Sequence, residues 1–568
     1  MAHAQQSIDA LPIWQRLNCI AFNNTRIDAI PGKGSGLVAI VSSHQTSSST
    51  AADAQSNTSH DTSSPLISVP AGLVLHSEAV EDYAKQDRNF RVLLDAAGHQ
   101  SSRGDILLFL LVQLVISSKQ HDEDRAALRT PWTDYVRFLP ADVPLPTLWT
   151  DEERRLLQGT SLEIAVRAKL LALEHEFDQL REQSSDIPFW LVALWDRKFP
   201  PQLRDWILVD AWYRSRCLEL PHLGPSMVPC IDMVNHSSTP NAYYEDRTAA
   251  PAAEAGVVLL LRPGQHVATS DEITISYTGS KGDEIPAADN FKPASEMLFS
   301  YGFIDPESIR RSLVLPVQPF PDDPLAKAKL HAFGGLAPRL EIEQLQVDSG
   351  ADSDDDHADG QDGKGAARIR WTCPFVYLMC VNEEDGIDFR LRQETDGSTQ
   401  LRMFWQDNDV TDKAQDFESL TSAHELAPLF RLRVVTVLQE IIESHLERMQ
   451  AAGSGQSDDD SDDDNEGDDE EVVGKDDTDM ADNNGSHNNG IRSSVAKQAE
   501  ILRDIESRVL SRALETLEAE RSDLLSNATV VAYLGSMEIS QNDLANDQVP
   551  NQGQADEPMH ESEDDDFS

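Results

Sequence analysis

The sequence is poor in basic residues, with 47 Lys and Arg against 98 Asp and Glu in 568 residues and a net charge of −51. Binding to nucleic-acid phosphates requires clustered Lys and Arg. This balance therefore argues against a protein that binds DNA or RNA directly. The excess negative charge is concentrated in three acidic segments, 347–364, 453–482 and 556–568.

Paired cysteines and long apolar runs are also missing. The five cysteines form no CxxC pair, which gives neither an obvious zinc cluster nor a disulfide framework, and we expect no metal site. The longest apolar run, 106–116, is too short to cross a bilayer and fits a buried helix. No signal-peptide pattern opens the sequence. We expect an intracellular monomer that contacts no membrane, cytoplasmic by default with the nucleus as the alternative.

Changes in composition divide the chain, whose length suits about two to four domains. Apolar runs typical of strands occur at 37–41, 256–264 and 271–279, whereas apolar residues between 77 and 220 recur at helical spacing. Low-complexity segments have little apolar surface to bury, so we expect them to be disordered. The predicted parts are 15–79 (the first part of a β-rich domain, with a disordered Ser-rich insert at 42–64), 80–220 (a helical insert), 221–305 (the second part of the β-rich domain), 310–545 (a helical carboxyl-terminal domain with disordered acidic inserts at 347–365 and 452–490) and 546–568 (an acidic tail).

Three stretches of the carboxyl-terminal part carry further expectations. Residues 371–392 begin with an apolar run typical of a strand. Residues 425–450 predict a pair of helices. Residues 491–525 combine apolar residues at helical spacing with charge partners four residues apart, which predicts a long helix.

Four short stretches combine glycine or polar residues with apolar neighbours. They are GKGSGLVA from Gly32, IDMVNHSSTPNAYY from Ile231, DEITISYTG from Asp271 and EMLFSYGFID from Glu296. A lone GxG is a weak signal because many turns contain it. Ser, Thr, Pro and Asn are ordinary turn residues, so the second stretch alone fits either a surface turn or a pocket for a polar ligand.

In this order the four stretches resemble the SET-domain methyltransferases. The similarity is greatest to the branch with a helical insert in the SET domain, which includes the Rubisco large-subunit methyltransferase, fungal ribosomal-protein and elongation-factor lysine methyltransferases, and the actin-histidine methyltransferase. The resemblance implies an α+β fold. Its β-rich SET domain, with a threaded carboxyl-terminal segment, is split by the helical insert and followed by a mainly α-helical substrate-binding domain.

The resemblance also implies a cofactor, S-adenosylmethionine, and a set of site residues. It makes Tyr277 the catalytic residue. The residues implied to hold the cofactor are Lys33, Gly34, Ser35, Arg216, Asn235, His236, Tyr277, Tyr301 and Phe303. The residues implied to bind the substrate are Arg216, Asp232, Tyr243, Tyr277 and Tyr301.

The chemistry of methyl transfer suits these residue types. Glycine has no Cβ, so the loop at 32–36 allows its backbone to approach a ligand closely. A lysine amine, whose reference pKa is about 10.4, must lose its proton before it can attack. Burial beside a sulfonium cation lowers that pKa, and the hydroxyl of Tyr277 can orient the amine lone pair. Taken singly, Arg216 is equally a surface cation, His236 a buried core residue and Tyr277 a core aromatic.

The favoured interpretation is a protein-lysine N-methyltransferase that uses S-adenosylmethionine. By analogy with the branch, its substrate is a ribosomal protein or a translation factor. An acidic enzyme attracts basic, Lys-rich proteins, but histones are basic too. Two alternatives remain open at this point: a protein-histidine methyltransferase, and a non-catalytic binding protein that uses its carboxyl-terminal domain as a docking platform.

Overall fold

The computed structural model of the chain describes residues 5–44, 64–118, 129–251, 255–277, 291–307, 309–335, 337–345, 368–393, 399–453 and 490–536. The Ser-rich insert, the two acidic inserts and the acidic tail, all predicted to be disordered, lie outside these ranges except for a few residues at their ends. No helix within the described ranges is both long and apolar enough to cross a bilayer.

The contacts divide the chain into two compact units. The first comprises Met1–Leu315, Glu341–Trp371 and Ser444–Ser511, and the second comprises Pro316–Leu340, Thr372–Glu443 and Arg512–Ser568. This division differs from the predicted single domain at 310–545, because 444–511 belong to the first unit. The physical reason is apolar packing, since Val495 and Leu502 share a buried cluster with Trp149 and Leu298.

The strands of the chain are short. In chain order they are β1 (Ala21–Phe22), β2 (Thr25–Ile30), β3 (Gly34–Ala39), β4 (Ser43–His44), β5 (Ile67–Pro70), β6 (Cys217–Leu220), β7 (Gly224–Met227), β8 (Asn235–His236), β9 (Ala242–Asp246), β10 (Gly256–Leu261), β11 (His266–Val267), β12 (Glu272–Ile275), β13 (Lys292–Pro293), β14 (Ile309–Arg310), β15 (Ser312–Pro316), β16 (Arg339–Leu345), β17 (Arg368–Thr372), β18 (Ile387–Gln393), β19 (Thr399–Trp405) and β20 (Asn408–Asp409).

The helices range from single turns to more than thirty residues. In chain order they are α1 (Leu11–Leu17), α2 (Ser77–Gln86), α3 (Arg88–Ala97), α4 (Ser102–Ser117), α5 (Pro131–Tyr135), α6 (Asp151–Arg155), α7 (Ser161–Ser185), α8 (Pro188–Trp190), α9 (Leu203–Arg216), α10 (Ala294–Tyr301), α11 (Ala326–Ala332), α12 (Pro374–Met379), α13 (Phe417–Ser422), α14 (Ala427–Gly453) and α15 (Ser493–Leu525).

Two four-stranded sheets form the β-rich part of the first unit, with strand orders β1-β5-β10-β9 and β2-β3-β12-β8. In the second sheet β12 runs antiparallel to β3 and parallel to β8, with Thr274 opposite Asn235 and Ile275 opposite His236. The apolar residues of β12 are buried. This register places two of the four sequence motifs side by side.

The helical insert packs around α4, which is buried from Asp105 to Ile116 and confirms the expected buried helix. The side chain of Ser101 caps α4 by accepting a hydrogen bond from the Gly104 N–H at 3.0 Å. Beside it, the buried carboxylate of Asp210 pairs with three cations. One of them, Arg214, also donates to the carbonyl of Phe299, which joins α9 to α10.

Two predictions for the carboxyl-terminal part were wrong. Of the predicted strand at the start of 371–392, Trp371 and Thr372 do end β17. The apolar run that follows forms the helix α12 instead, with Pro374 in its first turn and a fully buried Phe375. Short apolar runs fit a buried helix as well as a strand. The predicted helix pair at 425–450 is the single helix α14, because its sequence has no Pro or Gly between Pro428 and Gly453 to break it. The predicted long helix at 491–525 is confirmed as α15.

Candidate active site

The side chain of Tyr277 lies directly beside His236. Because β8 and β12 are parallel neighbours, the Tyr277 N–H donates to His236 Nδ1 at 3.0 Å, and the two ring centroids are 5.2 Å apart. The Tyr277 hydroxyl donates to the carbonyl of Val234 at 2.8 Å. The strand-end tyrosine and the imidazole loop therefore form one structural unit.

Two further aromatic residues complete the cluster. Helix α10 ends at Tyr301, and Gly302 adopts a left-handed conformation (φ +82°) that turns the chain back. As a result the Tyr301 ring lies 4.8 Å from the Tyr277 ring, and the Phe303 ring lies 5.8 Å from the His236 ring. The motif EMLFSYGFID thus packs against the strand-end tyrosine.

Burial keeps the ionisable members of this cluster uncharged at neutral pH. It raises the pKa of the Tyr277 phenol well above its ordinary value. Burial also raises the pKa of Tyr301, and the nearby Tyr277 adds to that increase. Burial lowers the pKa of His236, although Asp305 partly opposes this effect. The hydroxyls therefore stay protonated and the imidazole stays neutral.

The glycine-rich stretch approaches the cluster closely. A Cβ at Gly36 would lie 2.7 Å from Asn235 Nδ2 and 2.6 Å from Ile30 Cγ1, so a side chain at this position would push Asn235 away. At Gly34, which has φ +82°, a Cβ would meet no atom within 4 Å. The loop therefore touches Asn235 on one side and leaves open space at its tip.

Glu272 joins the loop to Asn235, and the sequence motifs gave no sign of this role. Its carboxylate accepts from Asn235 Nδ2 at 2.8 Å and pairs with Lys33 Nζ at 2.8 Å. The Lys33 side chain is therefore engaged with Glu272, in keeping with a main-chain role for this loop.

A buried carboxylate and a guanidinium lie behind the aromatic cluster. The side chain of Asp232 is fully buried, and Arg216 Nη1 donates to the Asp232 carbonyl at 2.9 Å. Arg216 Nη1 also lies 3.6 Å from Asp232 Oδ2. Among the described residues, neither Asp232 Oδ2 nor Arg216 Nε has a hydrogen-bond partner. Both atoms are shielded from solvent, and the ion pair with Arg216 is what compensates the buried carboxylate.

Two cavities meet at this cluster, and together they contain all but one of the predicted site residues. The larger, of about 630 Å³, is lined by the complete predicted cofactor set. The smaller has about 320 Å³. Five residues line both cavities: Ser215, Arg216, Asp232, Tyr277 and Tyr301.

The exception is Tyr243, which lines neither cavity, so its predicted place in the site is corrected. Its neighbour Tyr244 lines the smaller cavity instead. The two tyrosines are adjacent in β9, where successive side chains point to opposite faces. Tyr243 faces the guanidinium of Arg262, at 5.7 Å from its ring.

Helix α15 supplies part of the larger cavity, which the sequence did not indicate. Ser494, Val495 and Gln498 line it. Gln498 Oε1 also accepts from the Ile304 N–H at 2.8 Å, next to Phe303. The amphipathic pattern of α15 predicts a helix but contains no signal for which surface it covers.

Arg492 anchors the first turn of α15. Its guanidinium donates to both carboxylate oxygens of Glu153, at 2.7 and 2.9 Å, and to Asp142 at 3.0 Å. The hydrogen bonds from Arg492 are the main reason that the pKa of Glu153 falls to about 2. The carboxylate is therefore charged at neutral pH and holds this wall of the cavity in place.

Comparison with curated proteins finds relatives with SET domains. SET domain-containing protein 8 of Schizosaccharomyces pombe is 26% identical over 385 residues, covering 67% of this chain and 76% of that protein. The chloroplastic ribulose-1,5 bisphosphate carboxylase/oxygenase large subunit N-methyltransferase of Pisum sativum is 24% identical over 225 residues, covering 38% of this chain and 42% of that protein. No protein-family model matches the chain.

Solved structures give the fold. The SET domain of LSMT bound to lysine and AdoHcy matches with a TM-score of 0.58 at 16% identity, covering 95% of this chain and 98% of that chain. Rubisco LSMT bound to AdoMet matches with a TM-score of 0.55 at 16% identity, covering 92% and 93%. These matches confirm the predicted α+β fold.

Proposed function

We infer that this chain, a SET-domain protein of the branch that includes the Rubisco large-subunit methyltransferase, is a protein-lysine N-methyltransferase that uses S-adenosylmethionine. One observation carries the assignment. The hydroxyls of Tyr277 and Tyr301 and the imidazole of His236 converge where a larger and a smaller cavity share five lining residues. Such an arrangement can hold two reactants on opposite sides of one aromatic cluster.

The larger cavity fits the cofactor. Its volume lies within the range of about 300–1,000 Å³ that is usual for small-molecule sites. The loop at Gly34 opens its backbone to the cavity, and the partly exposed guanidinium of Arg216, which also lines it, is complementary to a carboxylate. When bound, S-adenosylmethionine supplies an activated methyl group on a positively charged sulfur.

The smaller cavity fits the side chain of the substrate lysine. Burial beside a cation disfavours an ammonium ion, so the amine is held in its neutral form. The Tyr277 hydroxyl donates its hydrogen bond to the Val234 carbonyl, which leaves its oxygen lone pairs to accept from an amine N–H. Tyr277 can therefore orient the amine toward the larger cavity.

For the substrate we propose a basic, Lys-rich protein of the translation machinery, such as a ribosomal protein or an elongation factor. The net charge of −51 favours encounter with basic proteins. For an enzyme with this substrate class we propose a cytoplasmic location, with the nucleus as the alternative.

The test is transfer of a labelled methyl group from S-adenosylmethionine to an extract of cells that lack this protein. The wild-type chain is expected to label lysine in a basic protein. Tyr277→Phe is expected to reduce labelling by about 100-fold, because a positioned hydroxyl at a reacting centre contributes about that much.

Tyr83→Phe provides the matched control. Tyr83 stacks on Phe109 in the insert, with ring centroids 4.8 Å apart, and lines neither cavity at the aromatic cluster. Labelled histidine would establish the histidine methyltransferase instead. Absence of both labelling and cofactor binding would establish a non-catalytic protein.

A further inference from the structure

Glu219 is an exposed residue at the mouth of the smaller cavity. It belongs to β6 and lines that cavity together with its strand neighbours Cys217 and Leu218. The carbonyl oxygen of Glu219 lies 3.5 Å from the hydroxyl of Tyr244, which is another lining residue. The strand therefore forms part of the cavity wall, whereas Glu219 itself is open to solvent.

The carboxylate of Glu219 faces the cavity. Successive side chains of a strand alternate between its faces, so Glu219 and Cys217 share one face of β6. Burial raises the pKa of the Cys217 thiol, and the charges of Asp232 and Glu219 add to this increase. Burial also raises the pKa of the Tyr244 phenol, and the charge of Glu219 adds to that increase too. The carboxylate thus acts on two groups that line the smaller cavity.

The other charged side chains that line this cavity have partners. The charged lining residues are Arg216, Glu219, Asp232 and Lys292. Arg216 pairs with Asp232 at 3.6 Å, and Lys292 pairs with Glu296 of α10. Within the described part of the chain, no cation forms an ion pair with Glu219. The described lining therefore has one uncompensated negative charge, and that charge lies at the cavity mouth.

An anion at the mouth suits a cation that stays charged during the reaction. The amine that is methylated must be neutral when it attacks, and a carboxylate in contact with it would favour the ammonium form. That amine belongs beside Tyr277, whereas Glu219 lies at the exposed end of the same cavity. A basic residue next to the target lysine stays at this exposed end and keeps its charge.

We propose that Glu219 is a specificity-determining residue: its carboxylate pairs with an arginine or lysine that neighbours the methylated lysine in the protein substrate. The proposal rests on the proposed function and narrows its substrate class from basic proteins to lysines with a basic neighbour. Salt screens charges that are more than about 8 Å apart. The acidic residues far from the cavity therefore contribute little to this preference.

Three synthetic peptides test the preference. Each contains one lysine in the same neutral sequence, flanked on both sides by arginine, glutamine or glutamate. Arginine supplies a cation without adding a second primary amine. With labelled S-adenosylmethionine, the wild-type kcat/KM is expected to be about fivefold higher for the arginine peptide than for the glutamine peptide, and lowest for the glutamate peptide. The differences should shrink in about 1 M salt, which screens charges beyond about 3 Å.

Charge substitutions identify the source of the preference. Glu219→Gln is expected to give equal kcat/KM for the arginine and glutamine peptides, and Glu219→Lys is expected to favour the glutamate peptide over the arginine peptide. Glu182→Lys is the matched control, because Glu182 is an exposed residue of α7 that lines neither cavity. It changes the net charge as Glu219→Lys does and is expected to keep the wild-type order of peptides. All three variants should bind S-adenosylmethionine with the wild-type Kd.

Three results with an active enzyme would overturn the proposal. The first is equal kcat/KM for the three peptides in the wild type. The second is the wild-type order of peptides in Glu219→Lys. The third is an equal loss for all three peptides in Glu219→Gln, which would mean that Glu219 acts on the target amine itself.

Peptides that do not react, or a chain that does not react, also give a decision. If no peptide is methylated, the protein labelled in the cell extract becomes the substrate, and glutamate replaces the basic residues beside its labelled lysine. An unchanged kcat/KM, or a labelled lysine without a basic neighbour, would overturn the proposal. If the wild-type chain labels no lysine in the extract, the proposed function fails and this proposal fails with it. A wild type that labels lysine but treats the three peptides alike overturns this proposal alone.

Discussion

The two cavities that meet at Tyr277 differ in how their walls are assembled. The larger draws on parts of the chain that are far apart in sequence, from Gln5 near the amino terminus to Gln498 in α15. Among the residues that the structure describes, those that line the smaller all lie between Ser215 and Tyr301. The cofactor side therefore depends on long-range packing of the first unit, whereas the substrate side depends on one continuous part of the chain.

This difference predicts which changes act on which ligand. Substitutions at the loop or in α15 should weaken cofactor binding and leave the substrate KM at saturating cofactor unchanged. Substitutions confined to the smaller cavity should do the reverse. A change in the packing of α15 outside either cavity should affect stability alone.

Gly36→Val tests the larger cavity most severely. Its side chain would enter the space of Asn235 Nδ2, which lies 2.7 Å from the Cβ position. Overpacking of about 1–3 kcal/mol corresponds to an increase of about 5- to 150-fold in the Kd for S-adenosylmethionine, measured by titration calorimetry. Gly72→Val is the control, since a Cβ at Gly72 meets no atom within 4 Å. A normal Kd in Gly36→Val would contradict the close approach of loop and Asn235.

Arg492→Gln tests whether α15 acts as a wall. Removing the guanidinium leaves the carboxylate of Glu153 without its cation, although that side chain is only 1% exposed. It also loosens the turn that carries Ser494 and Val495. We expect the Kd for S-adenosylmethionine to rise about tenfold. The matched control is Arg503→Gln in the same helix, where the guanidinium donates to the carbonyls of Met449 and Leu156 away from the cavity. Equal Kd increases in both variants would mean that general loosening of α15, and not its first turn, controls binding.

Tyr244→Ala tests the smaller cavity, and the adjacent Tyr243→Ala serves as its control. Loss of the Tyr244 ring is expected to raise the KM for the protein substrate about fivefold without changing the Kd for S-adenosylmethionine, since aromatic contacts contribute about 1 kcal/mol. Tyr243→Ala removes a ring that faces Arg262 and is expected to leave the KM unchanged. The opposite pattern would restore the sequence-based assignment of Tyr243.

Glu506→Gln tests a contact of α15 that lies outside both cavities. Burial raises the pKa of Glu506 from 4.5 to about 7, while its carboxylate accepts from the Ser161 N–H at 2.9 Å. Because the folded state binds the proton more tightly, this group's stabilisation is complete below pH 4.5 and is lost as the pH rises through about 7. The free energy of unfolding should therefore fall by up to about 3 kcal/mol over that window in the wild type.

The glutamine variant should lack this dependence, as measured by chemical denaturation at pH 5 and pH 8. Glu163→Gln is the control. Its carboxylate accepts from the Gly159 N–H at 2.8 Å in the same turn, and the variant should keep the wild-type dependence. At pH 5 residue 506 is uncharged in both the wild type and Glu506→Gln. If the two proteins then differ in their Kd for S-adenosylmethionine, the contact between Glu506 and Ser161 also shapes the larger cavity.

Local sequence features predicted the centre of the site well. The NHS stretch and the ITISY strand form neighbouring strands, and the tyrosine of SYGF packs onto them. Each of these motifs is a short segment whose own residues set its conformation, such as Gly302 at the end of α10. Such features depend on contacts within a few residues and can be read from the chain directly.

The sequence alone could not predict which side of a strand faces the site, or which residues distant in the chain come into contact. Alternation in a strand says that Tyr243 and Tyr244 face opposite sides, but not which one faces the site. Nothing near Tyr135 or Gln498 indicates that tertiary packing brings them to Asp232 and Ile304. The prediction for the apolar run of α12 failed for a different reason, because its five buried residues suit either kind of secondary structure.

The position of α15 along the chain has a consequence for protein synthesis. By the time a ribosome has added Asp305, the nascent polypeptide contains all four motifs that resemble those of SET domains. The turn at 494–498 that completes the larger cavity follows almost two hundred codons later. A truncated message that ends between these points would encode all of the recognisable chemistry and still yield a product with an open cofactor site.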